Sequence, residues 1–187
     1  MRSLLRATVP AIGLLVALAV PAEAQHQHAS SLTADLREDI EQLEKKMVDL
    51  ARLIPEDKFG WRPGAGVRSV SEVLMHVAAD NYLMPAAIGF PADPATGIKG
   101  NDYNTALAFE KRTVNKAQAI AEMEKSFAFL KKSLSDTPGD KLGAPVAMFG
   151  MSLTSQKAWI LTTTHLHEHL GQLIAYARTN GIAPPWS

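Results

Sequence analysis

The chain of 187 residues contains no cysteine. No disulfide can staple the fold, no protein thiol can serve as nucleophile or ligand, and no lipid can be attached through cysteine. There is no excess charge of either sign: 19 Lys and Arg balance 19 Asp and Glu. Neither a basic nucleic-acid surface nor an acidic solvating tail is therefore expected. Internal repeats, low-complexity tracts, phosphate-cradling glycine loops and nucleophile-triad spacings are also missing. With 47% hydrophobic residues, a chain of this length supports one domain with its own core.

One segment stands apart from that domain. Arg2 and Arg6 precede an apolar run from Ala7 to Val20, and Pro21-Ala22-Glu23-Ala24 ends in an A-x-A pattern. Residues 1–24 read as a signal peptide cleaved between Ala24 and Gln25. The apolar run is shorter than the roughly 20 residues that span a bilayer. A mature, periplasmic or extracellular protein without membrane insertion is expected. Residues 25–31, including His26 and His28, read as a flexible polar leader, and residues 32–187 as the folded domain.

Within that domain apolar residues recur at helical spacing. Leu36, Ile40, Leu43, Met47, Leu50 and Ile54 form one stripe that stops before Pro55. Residues 55–68 carry Pro, Gly and aromatics and read as an ordered loop. Ser69-Val70-Ser71-Glu72 is a capping box opening a second helix, which Pro85 bends or ends. A third helix covers about 105–135 and is interrupted near Thr113 to Asn115, where a new cap is available. Another Gly/Pro-rich connection follows, with a short extended piece at Val146 to Phe149. The fourth helix starts near Ser152 or Thr154 and stops at Asn180-Gly181. Four amphipathic helices without convincing strands predict an all-α four-helix bundle.

The chemistry concentrates in histidine. His165 and His169 are four apart, so a helix presents both on one face. His167 is rotated by about 200° from each and falls outside their site. Outside the leader the remaining histidine is His76, flanked by the buried-face residues Val73 and Val77. Three imidazoles converging on one ion would leave open positions, the arrangement of catalytic rather than closed structural zinc sites. Such nitrogen donors suit Zn²⁺, Ni²⁺, Co²⁺ or Fe²⁺. Asp80, one turn after His76, is a candidate to accept a hydrogen bond from a ligating imidazole or to serve as fourth ligand, or else a solvated or salt-bridged carboxylate. His165-x-x-Glu168-His169 also fits an H-x-x-E-H peptidase pattern, but no carboxylate follows between Leu170 and Ser187 to complete it. A di-iron bundle fails because the Glu-x-x-His spacing is absent. Trp61 reads as an aromatic staple for the loop, and Met47, Met75, Met84 and Met123 as packing residues. Arg178 is expected to reach from the last helix towards a carboxylate or a helix end.

Two stretches carry a family resemblance. Pro55-Glu56-Asp57-Lys58-Phe59-Gly60-Trp61-Arg62-Pro63, followed by Arg68-Ser69-Val70 and the helix bearing His76, resembles the first signature of DinB/YfiT-like proteins. The segment from His165 through Gly171-Gln172 and Tyr176 to Pro185 resembles the second. The resemblance implies an up-down four-helix bundle, often homodimeric, with His76, His165 and His169 as the ligands of one divalent metal. It places zinc or nickel first; iron, cobalt and manganese stay as alternatives beside it. It further implies a metal-dependent hydrolase or thiol-type transferase acting on a small molecule. A non-catalytic bundle with a structural ion, or a helical interaction module, are the competing expectations.

Overall fold

The computed structural model describes residues 22–186, with side chains from residue 32 onward. Most of the expected signal peptide lies outside the described residues. The first helix, α1, spans Ala22–Leu53. It therefore takes in residues 25–31, expected as a flexible leader, because no Pro or Gly interrupts the helix before Pro55. Its packed part begins with Leu32 and Leu36, which lie half-buried against the core.

The second helix, α2, spans Val70–Ile88 and opens on the expected capping box. Ser69 accepts from the Glu72 amide while the Glu72 carboxylate accepts from the Ser69 amide. Pro85 does not end the helix. It sits in the last turn, and Gly89 closes the helix at φ 116°, a left-handed conformation suited to glycine. Every residue from Val73 to Pro85 is buried. Such a helix has no solvent face to absorb polar groups, so His76, Asp80 and Asn81 need partners inside the protein.

The expected third helix is two helices. The short α3, Tyr103–Glu110, is capped by Asp102, and α4, Lys116–Ser135, begins at a second capping box from Asn115 and Gln118. Gly100 seats the start of α3 beside the end of α2. A Cβ there would stand 2.5 Å from the Ala86 carbonyl oxygen, so only glycine permits the approach.

A β-hairpin, unexpected from sequence beyond its first strand, precedes the last helix. Strand β1, Pro145–Met148, pairs antiparallel with β2, Met151–Thr154. Phe149 and Gly150 form the two-residue turn at φ 52° and 77°. Positive φ at both central positions marks a type I′ turn. The left-handed conformation costs a residue such as Phe149 roughly 1–2 kcal/mol. The final helix, α5, spans Ser155–Thr179 with Thr154 as N-cap.

Helix α1 packs on α4 and α5, and α2 packs on the same two. Around the bundle the order is α1–α4–α2–α5. The expected four-helix bundle is present, and within it α1 and α2, consecutive in sequence, lie across a diagonal. Short loops force consecutive helices to be neighbours. Here the 54–69 loop, from α1 to α2, and the hairpin segment, from α4 to α5, are each long enough to cross the bundle end, whereas α3 joins the neighbours α2 and α4. The core contains Ile40, Leu43, Met47, Leu74, Phe127, Trp159 and Leu173, all at most 1% exposed. Each such side chain contributes about 1.5–3 kcal/mol on burial, which offsets the cost of enclosing polar groups on α2.

Candidate metal centre

The diagonal arrangement brings α2 against α5, and the three histidines meet at this seam. One ring nitrogen from each of His76, His165 and His169 lies within 4.8 Å of the other two. The Nε2 atoms of His165 and His169 are 3.2 Å apart. Two nitrogens bound tetrahedrally at 2.0–2.1 Å would be separated by about 3.3 Å. His76 and His169 are buried and His165 is partly exposed. The site thus sits inside the bundle yet opens to one side.

Hydrogen bonding at the far edge of each ring decides which nitrogen faces inward. The Arg68 carbonyl can only accept, so the Tyr176 hydroxyl donates to it, at 3.1 Å. The Tyr176 oxygen accepts from Gln172 Nε2 at 2.9 Å, which turns Gln172 Oε1 towards His169. That oxygen accepts from His169 Nδ1–H at 2.9 Å. Nδ1 being protonated, Nε2 of the neutral ring carries a free lone pair. Burial pulls the His169 pKa down from 6.5 to about 4, against the Gln172 hydrogen bond, so the ring is neutral at physiological pH.

His76 is oriented by a carboxylate. Its Nδ1–H donates to Glu110 Oε1 at 2.6 Å, and the other Glu110 oxygen accepts from Arg68 Nε and a terminal guanidinium nitrogen at 3.2 and 3.1 Å. This is the carboxylate–histidine pairing that raises ligand basicity and fixes the tautomer at metal sites. Arg68 therefore acts twice, through its side chain on Glu110 and through its carbonyl on Tyr176. Trp61, half-buried, meets the Tyr176 ring edge-on at 5.3 Å and so holds the loop as the expected staple.

Asp80 completes the cluster. Its Oδ2 lies 2.8 Å from His165 Nε2 and 3.3 Å from His76 Nε2. Its Oδ1 is buried without a hydrogen-bond partner. The solvated alternative for Asp80 is excluded, because the residue is 4% exposed. Two imidazole lone pairs and a carboxylate thus converge on one point. A single N–H on His165 is the proton available to them. Such an electron-rich cluster calls for a cation, and the donor set fits a divalent one.

Other expected residues lie elsewhere. His167 is exposed and bonds Asp39 of α1 at 3.0 Å, on a different face of α5. Arg178 is exposed in the last turn of α5. Met47, Met75 and Met123 are core residues, whereas Met84 lines a cavity over the histidines. Sequence reasoning missed Glu110, Arg68, Gln172 and Tyr176 as orienting groups. Gln172 and Tyr176 continue the i+3 and i+4 ladder from His169, a signal that was available; Glu110 has no comparable spacing to His76.

Above the cluster a cavity of about 710 Å³ is bounded by Arg68, Met84, Tyr103, Phe149, Met151, Leu161 and Glu168. Its size is that of a small-molecule site. Among the described residues no helix is long and apolar enough to cross a membrane.

Comparison with known proteins agrees with this architecture. No curated protein matches the sequence. Solved structures that match include a DinB-like protein, YjoA, from Bacillus subtilis, at TM-score 0.59 and 17% identity, covering 79% of this chain and 92% of that one. A DinB-like protein from Bacillus cereus matches at TM-score 0.61 and 13% identity, covering 88% and 95%. YfiT from Bacillus subtilis matches at TM-score 0.62 and 13% identity, covering 89% and 93%. YfiT is described as a probable metal-dependent hydrolase with an unusual four-helix bundle topology. At these identities the likeness establishes the fold. The DinB superfamily profile matches residues 39–173, most of the domain, and this chain belongs to the DinB superfamily.

Proposed function

We propose that this chain is an exported DinB-superfamily hydrolase that holds one divalent metal ion through Nε2 of His76, His165 and His169 and acts on a small molecule. The carrying observation is that the His76 and His169 lone pairs converge with the Asp80 carboxylate while their Nδ1 edges are fixed outward by Glu110 and Gln172. Zinc or nickel suits the donor set first, with cobalt, iron and manganese as the alternatives. When bound, the ion supplies a Lewis acid and lowers the pKa of water.

The chain's own residues supply the remainder. The three imidazoles fix the position of the reacting centre, and Arg68 keeps two of them aligned. Asp80 Oδ2, the carboxylate oxygen that faces His165 and His76, takes the proton of the attacking water. It returns that proton to the leaving group, so one water is consumed and no proton is gained or lost at the site. The cavity favours this reading over a purely structural ion, because a closed structural site needs no access for a substrate. A thiol-type transferase would use the same cavity, with the thiol brought by a substrate since the chain has no cysteine.

Export rests on the N-terminal pattern alone. Cleavage after Ala24 would leave the packed part of α1, from Leu32 onward, intact. Edman sequencing of secreted protein should begin at Gln25. Elemental analysis of natively purified protein should give about one ion per chain, as one three-histidine site holds. Activity against a panel of small esters, amides and lactones should vanish on chelation and return with metal. Full metal loading with an inert panel and no exchangeable water at the ion would favour the structural ion instead.

A further inference from the structure

The turn of the β-hairpin is built against the preferences of its own backbone. Positions of a type I′ turn are ordinarily filled by Asn, Asp or Gly, which accept positive φ at little cost. This hairpin places Phe149 at φ 52° ahead of Gly150. The phenyl ring gains little from folding in return, since the residue is 42% exposed. Strain combined with exposure points to a role other than stability.

The surroundings define that role. Phe149 meets the ring of Tyr103 edge-on at 6.3 Å, and Tyr103 is itself 43% exposed at the start of α3. Met151, next in the hairpin, is 44% exposed. These three residues come from two separate elements and line the same cavity as His76, His165 and His169. Met84 and Leu161 extend the apolar side. One side of the cavity is thus aromatic and aliphatic and the other carries the electron-rich cluster. A cavity of about 710 Å³ that ends on the histidines takes a small molecule rather than a protein surface.

We infer that the substrate carries an aromatic or branched apolar body on a metal-binding polar head, and that Phe149, Tyr103 and Met151 form the subsite that selects the body. The inference rests on the proposed metal site for the head and on the hairpin for the body. The left-handed turn thus places Phe149 against Tyr103 on the lining of the cavity that also holds the three histidines.

The test uses two hydroxamates that share a metal-binding head and differ in their body. Benzohydroxamate and acetohydroxamate are titrated calorimetrically into the full mature protein carrying its own metal. Wild type should prefer benzohydroxamate on the order of tenfold or more, the scale expected for enclosing an aromatic ring. Phe149→Ala should bring the two affinities together while leaving acetohydroxamate unchanged, and Phe149→Leu should retain most of the preference. Phe149→Asn, which suits the turn, should lose the preference and raise Tm by about 2–4 °C. Equal affinities in wild type, or a preference that survives Phe149→Ala, overturn the subsite. A fall in Tm for Phe149→Asn, or a change in oligomeric state without a change in preference, makes the ring a packing or interface residue and overturns it as well. If neither hydroxamate binds, the metal reading fails and takes this inference with it; a preference abolished with the metal site intact separates the two failures.

Discussion

Helix α2 is enclosed on both flanks, and its two seams treat polar groups differently. Towards α4, Asn81 Nδ2 donates to Ser126 Oγ, which donates onward to the Met123 carbonyl, and the Tyr82 hydroxyl donates to Glu122. Each hydroxyl there has a donor–acceptor match within the seam, and the bonds lock two helices together. Towards α5, His76 and Asp80 meet His165 and His169 with a single N–H, on His165, shared among two imidazole lone pairs and a carboxylate. The same buried environment therefore holds one seam whose hydroxyls are linked by hydrogen bonds, although Asn81 Oδ1 stays unpartnered, and one that gathers imidazole nitrogens and a carboxylate around a single point. A seam that only has to pack links its hydroxyls from one helix to the other. A seam that has to bind leaves its polar atoms convergent and protects their outer edges.

The largest effect should come from breaking the α5 seam itself. His165→Ala or His169→Ala should reduce bound metal from about one ion per chain to near none, because two imidazoles do not make a tight site. Ser126→Ala, on the other seam, should leave metal content unchanged. Equal metal loss from both substitutions, measured by elemental analysis, would mean that loss of fold rather than loss of ligands is being read. The next effect in size concerns orientation. Glu110→Gln should weaken metal binding about 10–100-fold, the usual cost of removing a carboxylate behind a ligating histidine. Competition against a fluorescent chelator gives the ratio, and an unchanged affinity would remove Glu110 from the site.

Those two predictions also mark where sequence patterns are informative. His165 and His169 could be paired because a helix repeats every three to four residues, and Asp80 could be placed because it stands one turn beyond His76. Glu110 reaches His76 from α3, an element that sequence periodicity fused to α4 into one interrupted helix. Its partner Arg68 lies in a loop, where no periodicity operates. The hairpin was hidden for a related reason. Met151-Ser152-Leu153-Thr154 reads equally well as the approach to a helix, and Phe-Gly is not a recognised type I′ pair. The diagonal helix order was not legible either, since it depends on how far the two connections on either side of the α2–α4 pair travel.

Smaller effects sharpen the comparison. Ser126→Ala should destabilise the protein by about 1 kcal/mol through the lost hydrogen-bond relay, with chemical denaturation as the measure. A loss of metal at unchanged stability would reverse the roles assigned to the two seams. Proton linkage gives a signal that is read along the pH axis. Burial lowers the folded pKa of His169 to about 4 from 6.5, so the unfolded chain takes up the proton first. Metal-free protein should therefore carry this contribution above about pH 6.5 and lose it progressively as pH falls towards 4. His169→Gln should flatten that part of the pH–stability curve, and an unaltered slope would show that another group dominates.

Arg68 gives the site one last property. Its guanidinium secures Glu110 behind His76, and its carbonyl anchors the Tyr176–Gln172 relay behind His169. A single loop residue thus holds the tautomers of ligands on two different helices. If the loop loosens, the two histidines are released together rather than one after the other. Affinity for the ion would then fall as a cooperative step instead of a gradual slope, and the condition of the loop between α1 and α2 would be written directly into the metal occupancy of a seam whose ligands all come from other elements.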